Sequence, residues 1–117
     1  MINEMISRVF AARDSAHLQH WSTRSYAEHQ ALGFFYDESI SALDDIVEVY
    51  QGAFGPVEVT SRMPLFSGPG FQHYLQEECD WIEEHRDEIA SGSNAVANLI
   101  DNLTAKYNKT VFLLGLQ

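Results

Sequence analysis

The sequence predicts an all-α fold, a four-helix bundle whose second and third helices are joined by a long crossover. Three observations carry that expectation. Apolar residues recur at the helical period through four segments. The breaks between the segments are short, long and short in turn. All three prolines (Pro56, Pro64, Pro69), together with Gly55, Gly68 and Gly70, fall in the long break. Two helical hairpins linked by a connection long enough to traverse a bundle make a single domain over residues 1–117.

The first helix is expected from about Asn3 to Trp21, with Ile2, Met5, Ile6, Val9, Phe10, Ala16 and Leu18 on its apolar stripe. Ser25 followed by Glu28 is a capping-box pattern, placing a hydroxyl and a carboxylate beside the orphan N–H groups of a new helix. That helix runs on to Tyr50 or Phe54 along Leu32, Phe35, Tyr36, Ile40, Leu43, Val47, Tyr50 and Phe54. At about 1.5 Å per residue it spans roughly 40 Å. Gly52, Gly55 and Pro56 stop it. The crossover carries Val57, Val59, Met63, Leu65 and Phe66, too apolar for a free linker, so it is expected to pack along the bundle.

The third helix spans about Phe71 to Ala90, with Phe71, Tyr74, Leu75, Ile82 and Ile89 inward. Ser91-Gly92-Ser93 breaks it with a C-terminal glycine and then caps the next helix with a serine. The fourth helix runs from about Asn94 to Leu114 on Val96, Leu99, Ile100, Leu103, Tyr107, Val111 and Leu114. Lys106 and Lys109 lie in its second half, where positive charge suits the macrodipole.

Seven Lys and Arg against 17 Asp and Glu give a net charge of −10, which argues against nucleic acid and against a polybasic membrane anchor. A cation is the partner such a chain would attract. A lone cysteine, Cys79, excludes an intrachain disulfide and a multi-cysteine zinc site, and it suits a reducing compartment. Glu4, Arg8, Arg13 and Asp14 interrupt the N-terminal segment, so a signal peptide and a membrane span are not expected. The expected location is cytoplasmic.

From Ser25 to Ser61 there are seven acidic residues (Glu28, Asp37, Glu38, Asp44, Asp45, Glu48, Glu58) and no Lys or Arg. Asp44 and Glu48, four apart, share one helix face and repel by a few tenths of a kcal/mol, roughly, unless water or a cation intervenes. His17, His20 and His29 lie just upstream. Carboxylates with imidazole form a mixed oxygen and nitrogen ligand set suited to Fe(II), with Mn(II) or Zn(II) as alternatives.

Residues 16–55, which hold His20-Trp21, His29 and the Asp44/Glu48 pair fifteen residues beyond His29, resemble the Dps branch of the ferritin-like superfamily. Lys109, Phe112, Leu113 and Leu114 are similar to that family's Lys-x-x-aromatic-Leu-Leu ending. The resemblance implies a ferritin-like bundle that is at least a homodimer through its first two helices, with a dodecameric cage as the family's full assembly. It implies an iron site shared across a two-fold interface, His20 from one chain and Asp44 with Glu48 from the other, with His29 completing or flanking a second position. It also implies oxidation of Fe(II) by peroxide or oxygen.

The chain departs from that family in several places. Gly33 stands where a further carboxylate is usual, the first turn is shorter, and no lysine-rich tail precedes the first helix. The alternative is a catalytically silent bundle of the same fold, serving homo-oligomeric assembly or partner binding. A diiron site within one subunit is not expected, because no Glu-x-x-His occurs. No glycine-rich phosphate loop or nucleophile elbow is present either.

Other chemistry-bearing residues have plainer readings. Trp21 plugs the bundle end, Cys79 packs as a small hydrophobe, His73 and His85 lie on the surface, and Tyr26, Tyr36 and Tyr50 belong to the core. Asp37, Glu38 and Asp45 form a solvated face, as do the seven acidic residues between Glu77 and Glu88.

Overall fold

The computed structural model describes residues 1–116, which form four α-helices: α1 (Ile2–Ser22), α2 (Tyr26–Phe54), α3 (Phe71–Ala90) and α4 (Asn94–Leu114). The described residues hold no β-strand. The spans expected for α3 and α4 are met, and α1 is one residue longer at each end.

Local chemistry sets these limits. The Ser25 hydroxyl accepts from the Glu28 N–H at 3.2 Å, and Ser93 does the same for Val96 at 3.2 Å. The capping box at Ser25 is only half made. The Ser25 N–H turns instead to the Thr23 hydroxyl, and Glu28 accepts from Gln19. Helix α3 ends on Ser91 at φ 52°, followed by Gly92 at φ 86°. The Ser91 hydroxyl offsets its left-handed strain by donating to the Glu88 carbonyl at 3.2 Å.

The helices follow one another around the bundle in the order α1, α2, α4, α3. The crossover climbs α1 from base to top. The Ser7 hydroxyl donates to the Ser61 carbonyl at 2.8 Å, and one level higher the Ser15 hydroxyl accepts from the Phe66 N–H at 2.9 Å. Both serines are buried, so each bond also satisfies a hydroxyl that water cannot reach. Helix α3 then descends beside α1, with Glu78 opposite Arg8. The first and fourth helices therefore run one way and the second and third the other, as in a ferritin-like bundle with one crossover.

The core is built from Met5, Val9, Leu32, Phe35, Leu43, Ile46, Leu75, Ile82, Ile100, Leu103 and Tyr107, all 2% exposed or less. Phe35 and Tyr107 meet edge to face at 4.8 Å. The expectation that the crossover packs against the bundle holds for Val57, Val59 and Phe66, and Phe66 stacks on Tyr74 at 4.6 Å. Met63 and Leu65 depart from it and stay exposed, as do Phe10, Leu18 and Phe54 of the predicted helix stripes. Among the described residues, no helix is long and apolar enough to cross a membrane.

Candidate site at the corner between the first two helices

Only Thr23, Arg24 and Ser25 separate α1 from α2, so the last turn of one helix lies beside the first turns of the next. His20 and His29 face each other across this corner. Their rings stack with centroids 3.6 Å apart and planes 17° from parallel. His20 Nδ1 bonds to the His29 carbonyl at 2.7 Å, and His29 Nδ1 bonds to the His20 carbonyl at 2.8 Å. A carbonyl oxygen can only accept, so the proton sits on Nδ1 in both rings. The His20 carbonyl is one of the last four of α1, which have no partner within the helix, and the His29 imidazole supplies one.

Nε2 of each ring makes no hydrogen bond to another described residue. An imidazole held through Nδ1 by a carbonyl, with Nε2 left over, is the usual presentation of a histidine metal ligand. The same bonds also suit a purely structural fastening, so they fit either role.

Around the pair, His17 stacks on Tyr36 at 3.9 Å, and Trp21 lies 4.5 Å from His17. The Arg13 guanidinium stands 5.3 Å over the Tyr36 ring. Gly33 lies directly beneath His20, and a Cβ there would come within 3.2 Å of His20 Cε1. The ring therefore occupies the space that a larger side chain at position 33 would need.

Asp44 and Glu48 lie further along α2, exposed, with no hydrogen bond or ion pair to another described residue. Fifteen residues of helix separate His29 from Asp44, about 22 Å along the axis. One chain thus brings His20 and His29 together but keeps Asp44 and Glu48 away from them. Among the described residues, no three of His, Cys, Asp or Glu are grouped to hold a metal ion.

Several plainer expectations need correction. Trp21 is 68% exposed and Tyr26 75% exposed, so Trp21 does not plug the bundle end and Tyr26 is not in the core. Tyr36 and Tyr50 do pack against the core. His85 is half-buried, stacked on Trp81 at 4.1 Å with its Nδ1 on the Trp81 carbonyl. His73 is exposed, as expected, beside Glu77. Cys79 is fully buried and donates to Glu83 at 3.0 Å. Burial and the Glu83 carboxylate push its thiol well above the ordinary range. The stacking of the two imidazoles went unforeseen, although the short turn and their nine-residue separation were in plain view.

Residues 20–114 match a family described as a family of unknown function, DUF5856. The matched segment holds both imidazoles and both carboxylates. An uncharacterized 14.6 kDa protein from the mobD-ri intergenic region of Enterobacteria phage T4 is 25% identical over 120 residues, taking in 98% of this chain and 88% of that protein. No solved structure matches.

Proposed function

This chain belongs to the DUF5856 family, and we propose that it works as a Dps-like, self-associating bundle that binds Fe(II) between two copies. The observation that carries this reading is a pair of incomplete donor sets. His20 and His29 hold Nε2 atoms unengaged by other described residues at one end of α2. Asp44, about 22 Å along the axis and about 60° around the helix from His29, and Glu48, about 28 Å and about 100°, carry no ion pair among the described residues.

Two antiparallel copies of α2 related by a two-fold axis near Tyr36 and Asp37 would set His29 of each beside Asp44 of the other. Each contact would occur twice, as two-fold symmetry requires. The exposed Leu18, Trp21 and Tyr26 would supply apolar area to such a contact, and Trp and Tyr are the residue types that anchor interfaces. The donors fit a first-row transition metal, Mn(II) and Zn(II) included. Carboxylates are hard ligands that favour the ferric state, so oxidation of bound Fe(II) by peroxide or oxygen is the activity such a site would carry.

A second reading rests on the hydrogen bond that caps α1: the histidine pair fastens the corner, and the protein is a silent bundle for assembly or partner binding. Anaerobic Fe(II) titration followed by peroxide separates the two. Asp44→Asn and Glu48→Gln are suitable variants, because both residues are exposed and unpaired and the fold does not need their charge. Saturable binding in the parent that both variants lose supports the metal reading. No binding, or equal binding by all three, leaves the silent bundle. Light scattering alongside reports dimer or cage.

A further inference from the structure

We propose that the hollow between α1 and the crossover binds a small amphipathic anion, an alkyl carboxylate. The hollow holds neither His20 nor His29 and does not depend on any metal at their corner, although Arg13, which lines it, also stands over Tyr36 beside that pair. Between its two attachments to α1, at Ser61 and Phe66, the crossover arches away and leaves a half-open hollow of about 720 Å³. That is within the usual range for small-molecule sites. Its apolar lining includes Phe10, Ile40, Met63 and Leu65, and three of these are large side chains left in water: Phe10 at 46%, Met63 at 37% and Leu65 at 48%. A ligand with a hydrocarbon body would remove all three from solvent together.

The charge of the hollow sets the sign of the ligand. Two of the seven basic residues in this acidic chain, Arg13 and Arg62, line it, against one carboxylate, Asp14. Asp14 is already taken by Arg13 Nη1 at 2.9 Å. Arg13 Nε is buried with no acceptor, and Arg62 has no hydrogen bond or ion pair among the described residues. Elsewhere the guanidinium of Arg8 is matched to Glu4 and Glu78, and that of Arg86 to Asp87 and Asp101. Arg24, in the exposed turn after α1, has no such partner among the described residues, but it does not line the hollow and has none of its apolar wall beside it. Donors left over beside an apolar wall suit a carboxylate with a hydrocarbon tail. The ligand's head would meet the two arginines while its chain lies along Phe10 and Leu65.

The test is a heteronuclear NMR titration of the full chain with dodecanoate below its micelle concentration, with acetate and dodecyltrimethylammonium as controls. Dodecanoate is expected to give saturable shifts confined to residues 7–14, 40 and 59–65. Acetate should give none, and the cation should bind about tenfold more weakly or worse. Arg62→Glu, on an exposed arch, should weaken dodecanoate by about tenfold or more, because it removes one charge-assisted contact and sets a like charge against the carboxylate. Ala11→Leu, which adds bulk to the lining, should abolish binding while its spectrum stays folded. Equal binding of anion and cation, shifts spread over the chain, or unchanged affinity in Arg62→Glu would overturn the proposal. So would light scattering that shows Arg62→Glu releasing a second copy from this face.

Discussion

His20 and His29 close the corner between α1 and α2 by exchange: each ring bonds to the other's backbone carbonyl, at 2.7 and 2.8 Å, while the two rings lie 3.6 Å apart. The exchange joins two helices through two side chains and two main-chain atoms. Removing either ring therefore undoes the stack. Removing His29 also strands the His20 carbonyl at the end of α1, whereas the His29 carbonyl sits in the first turns of α2 and keeps its place in that helix's own ladder.

His29→Ala is expected to destabilise the fold by about 1–2 kcal/mol, a lost hydrogen bond plus an uncapped carbonyl. His20→Ala should cost less, about 1 kcal/mol, because the His29 carbonyl it leaves is already bonded within α2. Because the two residues act as one unit, the double variant should lose less than the sum of the single losses. Urea unfolding of the four proteins measures the coupling, and strict additivity would mean that the clasp contributes nothing as a pair.

Tyr107 offers a prediction of the opposite sign. Its ring is fully buried against Phe35, but its hydroxyl has no partner among the described residues. Tyr107→Phe keeps the ring contact and removes a hydroxyl that was desolvated without return. Stability should rise by up to about 1 kcal/mol. A fall in the thermal midpoint would show that the hydroxyl is satisfied after all.

Arg8 ties α1 to α3. Its Nη1 reaches both carboxylate oxygens of Glu78, at 3.2 and 2.9 Å, and its guanidinium lies 4.4 Å from the Trp81 ring centroid. Arg8→Ala leaves a largely buried Glu78 unpaired and should cost about 2 kcal/mol. Arg8→Ala with Glu78→Gln should recover part of that loss. Urea midpoints of the parent and the two variants check it.

Alkaline pH should unfold the chain. Burial, with the Glu78 charge second, raises Tyr74 from 10.0 to about 12, and burial also holds Tyr107 well above its ordinary value. The unfolded chain gives up these protons first, so stability is level below pH 10 and falls as pH rises towards about 12. Phenolate absorbance and loss of helix signal should move together across that window. Phenolate formation by Tyr74 near pH 10 in a folded chain would contradict the stated burial.

The helices were legible because their limits are written in local chemistry. Ser25, Ser93, Gly55 and the Ser91-Gly92 pair each act through their own backbone, and no distant residue is needed to read them. The crossover was half legible. Its apolar residues announced contact with the bundle, but which of them would reach it depended on Ser7 and Ser15, and a buried serine looks like any other in sequence.

The corner was the least legible region. Spacing separated His20 from His29 by nine residues and a turn, and only the angle of that turn decides whether two imidazoles touch. Trp21 misled for a related reason. Helical periodicity marks a face, but it does not say whether that face is covered at the helix's last turn.

The arch over Arg62 to Leu65 has a topological consequence. Between Ser61 and Phe66 the chain serves as tether more than as filling, so a protease cut after Arg62 would leave two helical hairpins with their inner faces intact. Such halves should recombine without a covalent link, and a version of the protein with new termini at that bond should still fold.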